Sequence, residues 1–248
     1  MEHSAQLRMA NVRTELSPVY ALLKKPSLID YPGRMCRVLF ISGCNMQCFF
    51  CHNTDLIKAS DSFIEWDRLE QTLLASREQW VDSVCISGGE PTLHPKLFEL
   101  IGRIRRLGFR IKLDTNGSVP DVLRHALPLV DYVAMDYKAP LERYAEITGC
   151  HALEPERIIE SVRLISCSDI EHEFRTTVVE GWHSEEDMHQ ICRELSGAKR
   201  FRIQGYVPAR HGTPLAGDSP VRRTPMKTLR KFETICREYF PETYIRGG

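Results

Sequence analysis

The residues best suited to chemistry lie in ISGCNMQCFFCHN, positions 41–53, where Cys44, Cys48 and Cys51 are spaced by four and by three. That spacing puts three sulfurs within reach of one small centre, whether a loop wraps it or a helical turn presents it. A structural zinc site takes four ligands, usually from paired C-x2-C knuckles, and this chain has no second knuckle. Common 4Fe–4S centres use four thiolates, so three cysteines imply a cluster with one iron left for a non-protein ligand. The plain alternative is one stripe of an amphipathic helix. Gly43 before the first cysteine and Asn45 after it favour a loop.

Three further groups could act with those thiols. SGGEP at 87–91 leaves a strand through two glycines, which let backbone approach a ligand where a Cβ would collide. Asp114 and Thr115 end one apolar run, and Asp136 and Lys138 end the next. Neighbouring carboxylates repel, so a cation or an ammonium is expected between them. Arg175, inside the apolar run EFRTTVV, is expensive to bury unpaired, which implies a carboxylate or cofactor partner. His94, His125, His151, His183 and His189 have no ligand-like spacing and are expected at the surface. Arg210 and His211, in GYVPARHGTP at 205–214, are weaker candidates for cofactor or partner contact.

Strands are expected at 35–42, 83–88, 109–115, 132–137, 173–179 and 200–207, where β-branched and aromatic residues cluster. Amphipathic helices are expected between them at 64–80, 94–108, 119–129, 154–166 and 184–197, with another at 224–240. Six strand–helix units in series require parallel strands with right-handed crossovers. The sheet is then either open and doubly wound or curled into an incomplete barrel, since eight units close a full one. Either arrangement gathers the loops after the strand C-termini over one mouth. Residues 1–17 are polar and aperiodic and are expected to form a weakly ordered tail, leaving 18–248 as one domain.

With 248 residues the chain can bury a sizeable core. Its 33 Lys plus Arg balance 33 Asp plus Glu, which argues against nucleic acid as a partner. No apolar run approaches the ~20 residues needed to span a membrane, and the N-terminus lacks the apolar stretch of a secretory signal, so a cytoplasmic protein is expected. In a reducing compartment nine cysteines do not read as disulfides. Cys36, Cys85, Cys150, Cys167, Cys192 and Cys236, far apart in sequence, are expected to be structural.

C-x3-C-x2-C after the first strand, Phe50 just before the third cysteine, and GGEP after the second strand together resemble the radical S-adenosylmethionine (SAM) superfamily. SLIDYPG (27–33), CHN (51–53), GGEPTLHP (88–95), LDTNG (113–117) and AMDYKAP (134–140) resemble its compact glycyl-radical-enzyme activating proteins. Those of the anaerobic ribonucleoside-triphosphate reductases are the nearest, and the resemblance runs from about residue 26 to at least 180.

The resemblance implies a partial (β/α)6 barrel of parallel strands. It implies a 4Fe–4S cluster on Cys44, Cys48 and Cys51 whose fourth iron takes the amino and carboxylate groups of SAM. Reductive cleavage would then give methionine and a 5'-deoxyadenosyl radical, which takes a hydrogen from a glycine Cα of a partner protein. Phe50 would flank the adenine and His52 would lie on the cofactor side. Gly89 and Glu90 would grip the methionyl ammonium, whose charge suits a carboxylate. Asp114, Thr115 and Asp136 would hold a monovalent cation, Lys138 would reach the ribose or carboxylate, and Arg175 would bind the cofactor. Apolar neighbours such as Phe49 and Phe50 would influence the cluster potential. No cysteine cluster lies between Cys51 and Cys85, so electrons would come from a flavodoxin or ferredoxin. Two rivals remain: a radical enzyme acting on a small molecule, like the compact carboxy-deazaguanine synthases, and a noncatalytic cluster-binding scaffold.

Overall fold

Alternation at period two decides where the strands of this chain run and which side of the sheet each residue serves. The computed structural model describes residues 16–208 and 222–246. In chain order β1 (Ala21–Leu22), β2 (Ser27–Tyr31) and β3 (Arg34–Ile41) precede α1 (Trp66–Arg77), β4 (Ser83–Gly88), α2 (Leu97–Arg106), β5 (Arg110–Thr115), α3 (Pro120–Ala126) and β6 (Tyr132–Asp136). Then follow α4 (Tyr144–Thr148), α5 (Pro155–Ser166), β7 (Glu171–Val178), α6 (Glu185–Glu194), β8 (Arg200–Gly205), α7 (Met226–Cys236) and β9 (Glu242–Arg246).

All six expected strands and six expected helices are present. The sheet order is β1-β3-β4-β5-β6-β7-β8-β9, with β2 paired to β3 off that path. From β3 to β9 every neighbouring pair is parallel, while β1 and β2 run antiparallel to β3. The expected count of six parallel strands is therefore corrected: β9, after α7, is a seventh. The sheet also curls. Asp30 of β2 and Arg246 of β9, from its two ends, form an ion pair at 2.7 Å, and one cavity is lined by residues from β3 through β9. A partial barrel, not a flat sheet, is the result.

The outer face of the sheet carries Leu39, Ile41, Val84, Ile86, Ile111, Leu113, Val133, Met135, Phe174, Phe201 and Ile203, all in the main core with the helices. Each helix supplies the matching stripe; α2 buries Leu97, Leu100, Ile101 and Ile104, at the three- and four-residue spacing of one helical face. Sharp ends set the crossovers. Ser184 and Asp187 form a capping box at the start of α6, and Pro155 opens α5. The inner face differs in kind: Cys36, Val38, Cys85, Tyr132 and Ala134 form a small apolar cluster, and around it the lumen is charged.

Of the expected tail, residues 1–15 lie outside the described residues, as do Arg210 and His211. Leu16 and Ser17 are tied down: Leu16 bridges to Glu65, and the Ser17 amide and hydroxyl both donate to the Ile64 carbonyl. Among the described residues no helix is long and apolar enough to cross a membrane.

Candidate active site

Where β3 ends at Ile41 the chain turns into a loop that carries all three clustered cysteines. Gly43 takes a φ of +95°, a region that favours glycine. The Gly43 and Cys44 amides donate to the Leu56 and Ile57 carbonyls, closing the base of the loop, and the Gln47 amide donates to Thr148 at the end of α4. Cys44, Cys48 and Cys51 thereby line one cavity of about 470 Å³, a size suited to a small-molecule cofactor. The same cavity is lined by Phe50, His52, Gly89, Asp114, Thr115, Asp136, Lys138 and Arg175. All but one of the expected site residues thus meet at the C-terminal ends of the strands.

The exception is Glu90. Its carboxylate is 1% exposed and accepts four hydrogen bonds: the Thr92 amide and hydroxyl at 3.1 and 2.6 Å, the Thr115 hydroxyl at 2.8 Å and the Asn116 amide at 2.5 Å. Burial pushes its carboxyl pKa up while those donors pull it down. These donors come from Thr92, Thr115 and Asn116, so Glu90 fastens the turn after β4 to the end of β5. The glycines before it line the cavity and also answer to packing. A Cβ on Gly88 would lie 2.2 Å from the Ile41 carbonyl oxygen, and one on Gly89 would lie 2.2 Å from that of Gly43 and 2.8 Å from that of Leu56. These positions are glycine because the cysteine loop packs directly on them.

Between the strand ends runs a ladder of alternating charge: Lys112, Asp114, Arg175, Asp136 and Lys138. Lys112 pairs with Asp114, while Arg175 reaches Asp114 at 3.4 Å and Asp136 at 2.7 Å, and Lys138 reaches Asp136 at 3.0 Å. Burial alone would raise both carboxyl pKa values, but the Arg175 guanidinium and the lysines hold both below the usual carboxylate range. The same carboxylates raise Lys138 and Arg175 against the opposing effect of burial. Arg175 sits on β7, flanked by β6 and β8, and is 5% exposed, so the carboxylate partner expected for it is present.

This ladder already places a positive side chain where a monovalent cation was expected. The positive charge between Asp114 and Asp136 is the Arg175 guanidinium, and the Thr115 hydroxyl is turned to Glu90. Lys112, 1% exposed, had no role assigned from sequence; its signal was a lysine two residues before Asp114 and so on the same strand face. Asn116 was part of a recognised motif without a role of its own. His183 was expected at the surface and is instead 5% exposed. Its Nδ1 accepts the Val179 amide, so Nε2 carries the proton donated to the Lys138 carbonyl at 3.0 Å. Cys36, Cys85, Cys192 and Cys236 are buried as expected of structural cysteines, Cys150 is half-buried and Cys167 is exposed.

The donor set fits an iron–sulfur cluster. Thiolates are soft ligands suited to one, and the Met46 amide donates to Cys44 Sγ at 3.4 Å. Burial pushes the Cys44 thiol up to about 12 and that of Cys48 to about 11, so metal must drive deprotonation. Among the described residues no three such side chains are gathered around one ion. Phe50 is 4% exposed and meets Phe49 edge-on at 5.1 Å, and Phe49 packs on Trp182 at 4.2 Å, giving the loop an apolar flank. His52 stacks on Tyr206 and donates to the Val207 carbonyl, tying the loop to the segment after β8.

A protein of Methanocaldococcus jannaschii, named for glycyl-radical enzyme activation, is 31% identical over 232 residues, 89% of this chain and 92% of its own length. The 7-carboxy-7-deazaguanine synthase of Thermococcus kodakarensis is 29% identical over 153 residues, 52% of this chain and 58% of that one. Among solved structures, a domain of the pyruvate-formate lyase-activating enzyme of Bacteroides vulgatus superposes with a TM-score of 0.51 at 18% identity, over 66% of this chain and 99% of that one, a likeness of fold. Residues 38–195, which run from β3 through α6 and include the thiols and the charge ladder, match the family described as the radical SAM superfamily. A chain matched over that span, with three thiols at the mouth of a partial barrel, belongs to the radical SAM superfamily of enzymes.

Proposed function

We propose that this protein activates a glycyl radical enzyme by taking a hydrogen from a glycine Cα of that partner. Membership of the superfamily brings a 4Fe–4S cluster and SAM. When bound, they supply a 5'-deoxyadenosyl radical through reductive cleavage of the sulfonium. Cys44, Cys48 and Cys51 hold the cluster, Phe50 provides an apolar wall for the adenine, and the Lys138 ammonium faces the cofactor's carboxylate or ribose. The backbone of Gly89 and the exposed ring of His52 line the remaining cofactor side. Arg175 locks Asp114 and Asp136 in place, so the mouth keeps fixed charges instead of mobile ones.

The observation that carries this reading is the M. jannaschii relative, similar over nearly the whole of both chains. The match of motif order from SLIDYPG to AMDYKAP supports an anaerobic ribonucleotide reductase as the partner, in an anaerobic cytoplasm, with a flavodoxin or ferredoxin as electron donor. The test is anaerobic incubation of the cluster-loaded protein with SAM, reductant and the reductase. A glycyl EPR doublet on the reductase is expected, and its absence overturns the assignment. The T. kodakarensis relative favours a second reading, a small-molecule radical enzyme, although it matches only about half of this chain. Turnover of a metabolite without a protein partner would select that reading.

A further inference from the structure

We propose that Asn116 is a positioning residue for the cluster, holding the turn at Cys44 and raising the electron affinity of the iron–sulfur centre through its side-chain amide. Asn116 follows β5 directly and is 6% exposed. Its backbone is anchored and its side chain is oriented by separate contacts. Its backbone amide donates to Glu90 at 2.5 Å, and its Oδ1 accepts the Ser118 amide at 2.9 Å. Since an amide N–H can only donate, that second contact fixes which end of the side chain is oxygen. Nδ2 must then point the other way, and there it meets Asn45 Oδ1 at 3.0 Å and Cys44 Sγ at 3.9 Å.

The Asn45 oxygen is also held by the Ser118 hydroxyl at 3.2 Å, so the residue after the first cysteine is gripped twice from the end of β5. Cys44 receives the Met46 amide as well, at 3.4 Å. On a thiolate bound to iron, both N–H contacts become charge-assisted. Hydrogen bonds to cluster sulfur favour the reduced state, because they stabilise the added negative charge. The route from Glu90 through Asn116 to Cys44 also gives the buried carboxylate a purpose: it anchors the donor that the cysteine uses.

The test compares Asn116→Ala, the isosteric Asn116→Asp and Ser118→Ala, each reconstituted anaerobically, with iron and sulfide counted and the reduced fraction read by EPR at fixed applied potentials. Loss of one net hydrogen bond changes an equilibrium about fivefold, so the ratio of reduced to oxidised cluster in Asn116→Ala should fall about fivefold at unchanged iron content. Asn116→Asp, which exchanges a donor for an acceptor, should fall at least as far, while Ser118→Ala, which loses one grip on Asn45 but keeps the Asn116 amide on Cys44, should fall less than Asn116→Ala. An unchanged ratio in Asn116→Ala or Asn116→Asp overturns the proposal. So does loss of the cluster from both variants, because the residue would then be required for assembly and would not modify electron affinity.

Discussion

Arg175 offers the sharpest perturbation of the charge ladder. In Arg175→Met the methionine roughly preserves the aliphatic part of the side chain, but the two carboxylates that shared the guanidinium face each other across the lumen. Removing one partner of a buried ion pair costs about 3–5 kcal/mol. Asp114 keeps Lys112 and Asp136 keeps Lys138, so the lower end of that range, about 3 kcal/mol, is expected. With a urea dependence near 3 kcal/mol per molar, the unfolding midpoint of the metal-free protein should fall by about 1 M under anaerobic, reducing conditions. Two further measurements separate this cause from lost packing. Adding Asp136→Asn to Arg175→Met removes one of the facing charges and should recover part of the loss. Potassium should stabilise Arg175→Met more than the parent, because only the variant has an unfilled place between the carboxylates. A loss below about 1 kcal/mol, or a double variant no more stable than the single one, would refute the claim that the guanidinium plays the part of a bound cation.

Other perturbations follow from the same geometry. Gly89→Ala drives a Cβ to 2.2 Å from the Gly43 oxygen, and both close contacts are backbone of the cysteine loop, so about 1–3 kcal/mol of overpacking is expected together with loss of reconstituted iron. Normal iron content in that variant, read by absorbance and iron assay, would contradict the packing described. His183 is buried and neutral in the fold, its pKa lowered chiefly by burial. The unfolded chain therefore takes up its proton more readily, and its contribution to stability is fully present above the ordinary value of 6.5 and lost as pH falls below it. The parent's melting temperature should drop between about pH 7 and pH 5, whereas that of His183→Gln should change less; identical profiles would remove His183 from the account.

Much of this architecture could be read from the chain, and the parts that could not share a cause. The six strands from β3 to β8 were visible because each has apolar residues toward the helices. β9, ETYIR, was not, since Tyr244 and Arg246 serve a polar lumen and only Thr243 and Ile245 face the helices. The same lumen hid Lys112, because lysine is almost never fully buried and only its pairing with Asp114 on the same face allows it here. α4 is five residues long, too short to show a helical period, yet it supports Gln47 in the cysteine loop. For the site, residue types and order pointed to the thiols, Asp114, Asp136, Lys138 and Arg175, which the fold brings to one cavity. Directions were another matter. Whether Glu90 and Thr115 point to a ligand or to each other depends on a turn between two strands, and whether two carboxylates enclose an ion or an arginine depends on the register of β7 against β6.

In the function proposed for this protein, three thiols bind a cluster whose remaining iron is open to SAM. Anaerobically reconstituted protein, reduced and given SAM, should yield 5'-deoxyadenosine and methionine in equal amounts, and its EPR signal should change when SAM is added. Alanine at any one of Cys44, Cys48 or Cys51 should abolish both effects. A protein that retains only zinc, or that cleaves SAM equally well without one of these thiols, would contradict the account.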